Sequence, residues 1–338
     1  MSGDRETITL AEARELALAA LTRHGCDKAN AEAVASVMLA AEADRAESHG
    51  LFRLPGYVAS LKSGKVDGRA KPAVSRPAPG IVRVDGKLGF APLAIEMGRA
   101  PLVEAARSQG VAALALVRIH HFAALWPEVE ALAAHGLAAL ACTCATPMVA
   151  PAGGTKPFFG TNPLAFAFPR HDAPPVVFDQ ASAAMARGDV TIHAREGKPV
   201  PPGTGVGPDG QPTTDPAEVL KGAQLPFGGY KGSNIALMIE LLAGALIGEV
   251  FSPESGRSGP ADGGPPVGGE LIIALDPERF GAGTWGERVE SFLAEMLEQP
   301  GVRLPGARRH LNRAETGETG VYVPRALLAE IRDLAGVG

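Results

Sequence analysis

Apolar and polar positions at the N-terminus alternate with helical period. Thr9 and Glu12 stand at capping-box spacing, and Leu16, Ala20 and Leu21 then keep one face until Gly25. Asp27 has an N-cap side chain. The run from Ala29 to Glu47 predicts a second helix with Ala33, Val37 and Ala40 on one face, closed by Gly50. LPGYVASLKSG (54–64) predicts a short third helix or turn. The next stretch, KVDGRAKPAVSRPAPG (65–80), has linker composition and sets a lobe boundary near residues 68–80.

Beyond it the periodicity switches between helix and strand. A helix over Pro92–Ser108, a strand VAALALV, a helix from about Phe122 to His135 and a strand LAALACT make a β/α unit. LAFAFP, VVFD and ELIIALD predict further strands. The apolar run Asn234–Gly248, interrupted by Glu240, predicts a buried helix on their sheet and falls short of the roughly 20 residues a membrane span needs. Residues 197–216 and 252–269 are Pro- and Gly-rich loops.

Composition narrows the class. With 338 residues the chain exceeds the usual size of one core, so two or three lobes are expected, and 46% hydrophobic against 20% charged is ordinary for a globular protein. A net charge of -5, with no basic run interleaved with aromatics, argues against nucleic acid as a partner. MSGDRETITL shows no signal-like basic and apolar pattern, so a cytoplasmic protein is expected. Cys26, Cys142 and Cys144 form no CxxC pair and read as reduced core thiols.

Several motifs bear on chemistry. GVGPDG (205–210) matches GxGxxG, but the flanking prolines forbid the strand and helix that a dinucleotide fold requires, so it reads as a turn. FGGYKGS (227–233) runs into a helix: free N–H groups beside Lys231 suit a phosphate, and a plain glycine entry turn fits as well. His120 and His121 end a strand, where α/β folds place ligand contacts, but adjacent side chains diverge and no acidic or Cys partner lies at ligand spacing; no metal is expected. RRHLNR (308–313) offers three guanidinium groups that suit a phosphate monoester, or forms a solvated basic loop. In DRAESHGLFR (44–53), Ser48 and His49 are neighbours outside any GxSxG elbow, which demotes a hydrolase. His49 titrates near neutrality and Arg53 can hold a carboxylate through two parallel hydrogen bonds, a pairing suited to reducing an α-keto or α-imino acid.

Taken in order, RAESHGLFRLPGYVASLKSG, HHFAALWPEVEALAAHGL, PFFGTNPLAFAFP, VVFDQASAAMARGD and LPFGGYKGSNIALMIELL resemble the malate/L-lactate/ureidoglycolate dehydrogenase family, which lacks a Rossmann fold. HHFAALWPEVE and the RRHLNR tail are most similar to its Δ1-piperideine-2-carboxylate/Δ1-pyrroline-2-carboxylate reductases. The resemblance implies an α/β fold with a large mixed sheet and a separate helical lobe. The helical lobe would take residues 1–75 and elements from about 300–338, and the nucleotide- and substrate-binding lobe residues 80–299.

It further implies a homodimer using NADPH, with NADH the weaker alternative. His49 would be the proton donor, with Ser48 and Asp189 as relay partners, and Arg53 the carboxylate clamp. Thr161, Arg187 and Gly188 would complete the substrate pocket. His121, Phe122, Ala123, Ala124, Leu125, Asp179, Gln180, Ala181, Tyr230, Lys231, Arg308, Arg309 and Arg313 would hold the cofactor. Tyr230 stands where these imine reductases often carry His, and Arg187 also departs from their pattern. The implied reaction is reduction of a cyclic imino acid to L-pipecolate or L-proline. The alternatives are an L-2-hydroxy acid dehydrogenase of the malate or lactate kind and a non-catalytic nucleotide-binding regulator; the polar set Ser48, His49, Arg53 and Asp189 argues against the last.

Overall fold

The computed structural model describes residues 4–258, 260, 262–281 and 283–337. A short strand, β1 (Arg5–Ile8), leads into α1 (Leu10–Arg23). The Thr9 hydroxyl accepts from the Glu12 N–H at 3.1 Å while Glu12 accepts from the Thr9 N–H at 2.7 Å, which satisfies two orphan donors reciprocally. Asp27 caps α2 (Lys28–Ala43) by accepting from the Asn30 N–H at 3.0 Å. This helix stops short of the expected Glu47: Arg45 takes a φ of 56°, and the chain continues as two 3-10 turns, Glu47–His49 and Leu51–Arg53. Its buried stripe runs through Val34, Met38 and Ala41, one position off the expected face centred on Val37. The third helix, α3, is Leu54–Lys62.

Part of the linker-like stretch is a strand, β2 (Ala73–Ala78), paired antiparallel with β3 (Ile81–Phe90). All of β2 is exposed and Pro77 lies within it, which an edge strand tolerates because its outward N–H row needs no partner. Then follow α4 (Ala91–Gln109), β4 (Val111–His120), α5 (Trp126–Ala133), β5 (Ala138–Thr143), β6 (Leu164–Phe168), β7 (Val176–Gln180) and α6 (Arg187–Glu196). The helix expected from Phe122 begins only at Trp126, leaving 121–125 as a loop. GVGPDG is the turn between β8 (Gly205–Val206) and β9 (Pro212–Thr213). These pair in a small sheet with β10 (Ala223–Gln224), which follows α7 (Pro216–Lys221).

The apolar run beyond it is α8 (Tyr230–Ile239) and a π-helical turn, Glu240–Leu246. Its inner face packs Ile239, Ala243 and Ile247 on the sheet, but its outer face leaves Leu237, Leu241 and Leu246 exposed, so it is not the fully buried helix expected. The chain ends through α9 (Ser252–Ser255), β11 (Val267–Leu275), α10 (Pro277–Gly281), α11 (Trp285–Leu297), α12 (Ala307–Thr319), β12 (Val321–Pro324) and α13 (Arg325–Ala335).

The main sheet has seven strands in the order β2-β3-β4-β11-β5-β6-β7, with only β3 and β4 parallel. The fold is therefore α/β with a large mixed sheet. One face of the sheet buries α4 and α5, and the other receives α8 and its π turn. A separate core joins α1, α2 and α3 to β12 and α13, and β1 pairs with β12. The site lies where this helical core meets the ends of β4 and β7. Among the described residues, no helix is long and apolar enough to cross a membrane.

Candidate active site

The two 3-10 turns after α2 put Ser48, His49 and Arg53 on one bend. The Ser48 hydroxyl lies 3.0 Å from His49 Nδ1, and Arg53 Nε donates to the Ser48 carbonyl at 2.7 Å, so the backbone that carries the histidine also fixes the guanidinium. Arg53 lies over the Phe122 ring, 4.2 Å from its centroid, and His49 meets the Trp126 ring edge-on. Burial pushes His49 down to about 3, and the charges of Arg53, His121 and Arg309 act in the same direction. In the free protein His49 is a neutral imidazole.

His49 and Arg53 line two cavities, of about 430 and 250 Å³, that also share Ala123, Thr161, Pro163 and Arg187. The larger reaches Thr143, Cys144 and Met148, and the smaller reaches Ala124, Leu125, Asp179, Gln180, Ala181 and Arg309. Gly188 opens α6 against the turn: a Cβ there would lie 2.7 Å from Ser48 Cβ. Arg187 donates to the Leu220 carbonyl at 2.9 Å. Asp189 follows in the first turn of α6, an exposed residue whose carboxyl is raised by partial burial; among the described residues it makes no hydrogen bond to Ser48 or His49.

The loop 121–125 is held from beneath. The Asp179 carboxylate accepts from the Leu125 and Trp126 N–H groups at 2.9 and 3.2 Å, which caps α5 and explains why the helix starts late. Asp179 thus shapes the loop that would cover a cofactor. His120 turns inward, with Nδ1 3.2 Å from the Pro265 carbonyl. His121 Nε2 lies 3.0 Å from Glu128 Oε1 and 3.4 Å from Glu270 Oε2. No acidic partner stands at ligand spacing from the doublet along the chain; the fold supplies two, one of them from β11. Burial pushes both carboxyls up, and the charge of Glu128 raises Glu270 further.

The arginines of RRHLNR part company. Arg309 stacks on Trp126, 4.4 Å from the ring centroid, and its buried Nη1 has no partner. Arg313 instead grips Asp44 through Nε and Nη2 at 2.8 and 2.9 Å and Glu130 through Nη1 and Nη2 at 3.1 and 2.8 Å, joining α12 to α2 and α5. Four of its five N–H donors are committed to these carboxylates, which gives it a structural role beside the phosphate contact expected of it. Arg308 is exposed and lines neither cavity, and Tyr230 and Lys231 sit exposed at the start of α8, outside both. Asn162, beside Thr161, escaped the sequence reading. Buried at a φ of 35°, it donates to Glu240 at 2.8 Å and accepts from the Ala145 N–H at 3.2 Å, which pins the Thr161 turn.

A dinucleotide fits this groove on one observation of its own: a half-buried guanidinium, stacked on an aromatic face, lines the smaller cavity together with His49 and Arg53. The model of the malate/L-lactate dehydrogenase family matches residues 8–332. The chain belongs to that family. It is 48% identical to a Δ1-pyrroline-2-carboxylate reductase of Ancylobacter novellus, covering 98% of both chains. It is 49% identical to a Δ1-pyrroline-2-carboxylate/Δ1-piperideine-2-carboxylate reductase of Pseudomonas aeruginosa, over 96% of this chain and 98% of that one. The crystal structure of Δ1-piperideine-2-carboxylate reductase from Pseudomonas syringae pv. tomato superposes with a TM-score of 0.93 at 42% identity, covering 97% of this chain and 99% of that one. Membership makes the protein an oxidoreductase of the nicotinamide-dependent kind.

Proposed function

We propose that this protein reduces cyclic imino acids, Δ1-pyrroline-2-carboxylate and Δ1-piperideine-2-carboxylate, to L-proline and L-pipecolate with NADPH. The observation that carries the reading is His49 and Arg53 on one bend facing one cavity, in a chain similar end to end to reductases of these compounds. When bound, the reduced nicotinamide supplies hydride. Arg53 holds the substrate carboxylate and so presents C2 of the ring. Once His49 has taken up a second proton, its Nδ1–H donates to the Ser48 hydroxyl 3.0 Å away, and the imidazolium passes its Nε2 proton to the ring nitrogen and returns to the neutral form. The arriving carboxylate neutralises Arg53, one of the charges that hold His49 down, so substrate binding raises the affinity of His49 for a proton. Thr161 and Arg187 close the shared wall, and the 121–125 loop excludes water from it.

Arg309 supports the choice of NADPH, because a forked guanidinium lining the smaller cavity suits an added phosphate. A homodimer is supported by the outer face of α8, where Tyr230 and Leu241 are 65% and 52% exposed. Tyr230 and Lys231 begin that face, so a dimer formed there would bring these two expected cofactor residues to its subunit boundary. The three cysteines are free and buried, in keeping with a reducing compartment such as the cytoplasm.

The test offers NADPH with Δ1-pyrroline-2-carboxylate, Δ1-piperideine-2-carboxylate and pyruvate in parallel and follows cofactor absorbance. Rapid oxidation with the imines and little with pyruvate is expected. The reverse would move the protein to hydroxy-acid chemistry, and tight NADPH binding without turnover would mark a regulator.

A further inference from the structure

Glu42 lies near the end of α2, buried beneath the Ser48–Arg53 bend yet outside both cavities that His49 lines. Its Oε1 accepts from the Leu51 N–H at 2.6 Å. A Cβ on Gly50 would sit 2.1 Å from that oxygen and 2.5 Å from the carboxyl carbon, so the Glu42 side chain fills the space under the bend and a larger residue at position 50 would have to displace it. Among the described residues, the bend's other hydrogen bonds are local: the Arg53 N–H donates to the Gly50 carbonyl at 3.0 Å and Arg53 Nε to the Ser48 carbonyl at 2.7 Å. One carboxylate oxygen therefore anchors, at the Leu51 N–H, the bend that carries both His49 and Arg53. Arg5, a cation whose charge acts on Glu42, is itself engaged by Glu47 at 2.6 and 2.9 Å. Burying a carboxyl for one backbone hydrogen bond costs stability, which an apolar residue at this position would avoid.

We propose that Glu42 is a positioning residue, which fixes the separation of the His49 imidazole from the Arg53 guanidinium by anchoring the bend at the Leu51 N–H. This rests on the function proposed above. Glu42→Gln keeps an amide oxygen as acceptor, Glu42→Asp withdraws it by one methylene, and Glu42→Ala removes it. The three are compared with wild type and with Gly50→Ala, on whichever of the imino or keto acids the wild type reduces. The expected result is near wild-type kcat/KM for Glu42→Gln. A loss on the order of 10²-fold is expected for Glu42→Ala and Gly50→Ala, and an intermediate loss for Glu42→Asp, with Kd for NADPH unchanged throughout. Should Glu42→Ala fail to fold, the Asp and Gln pair carries the test. Wild-type kcat/KM in a folded Glu42→Ala or Glu42→Asp variant overturns the proposal, as does a Gln variant no better than Asp. A wild type that reduces pyruvate and no imine instead contradicts the substrate reading and leaves this comparison to be made with pyruvate.

Discussion

Arg53→Lys separates the charge of the clamp from its shape. Arg53 is buried and oriented by its Nε bond to the Ser48 carbonyl and by the Phe122 ring, which leaves the two Nη groups to meet a carboxylate side by side. Lysine keeps the positive charge but cannot fill that fork. The loss is of the order of one charge-assisted hydrogen bond, about 1.5–3 kcal/mol, or roughly 10- to 150-fold in substrate affinity. Initial-rate kinetics with Δ1-pyrroline-2-carboxylate should show KM raised by that factor. Titration of NADPH should give an unchanged Kd, because the Arg309 end of the groove is untouched. A KM within about threefold of wild type, less than 1 kcal/mol, would refute the clamp.

Gly188→Ala places a methyl group 2.7 Å from Ser48 Cβ; overpacking of this kind costs about 1–3 kcal/mol, so both Tm and kcat/KM should fall. Arg313→Ala strips four hydrogen bonds and leaves Asp44 buried; discounted for the 41% exposure of Arg313, about 1–3 kcal/mol of stability should go while KM for NADPH holds, as denaturant unfolding and steady-state kinetics would report. Glu128 and Glu270 have folded-state pKa values raised above the ordinary 4.5 by burial, so the native state holds their protons more tightly than the unfolded chain does. Their stabilising share is present below about pH 4.5 and is lost as pH rises through the folded values. Glu270→Gln should therefore raise Tm at about pH 8 and flatten the decline from about pH 5, in scanning calorimetry across that range.

The parts of the fold legible in the sequence are those decided locally. The Thr9–Glu12 box, the Asp27 cap and the apolar runs of β4, β5, β6 and β11 depend on residues a few positions apart. β2 was hidden because an edge strand exposed on both faces carries no alternation, and β1 because its partner is at the other end of the chain. The same limit applies to the site. Ser48, His49 and Arg53 could be read together because six positions hold them. Glu42, Asp44 and Asn162 look like solvated polar residues until the fold buries them, and Glu270 reaches His121 only because β11 inserts beside β4. Arg309 and Arg313 stand one turn apart on α12, yet one lines the groove and the other clamps the helices, while Arg308, off that face, meets solvent.

The central claim is that His49 delivers the proton while other groups hold the cofactor. It is tested most directly by His49→Ala under single-turnover conditions with saturating NADPH and Δ1-pyrroline-2-carboxylate. The expected result is reduction slowed by about 10²- to 10⁴-fold with NADPH Kd as in wild type. Wild-type turnover in that variant would contradict the account.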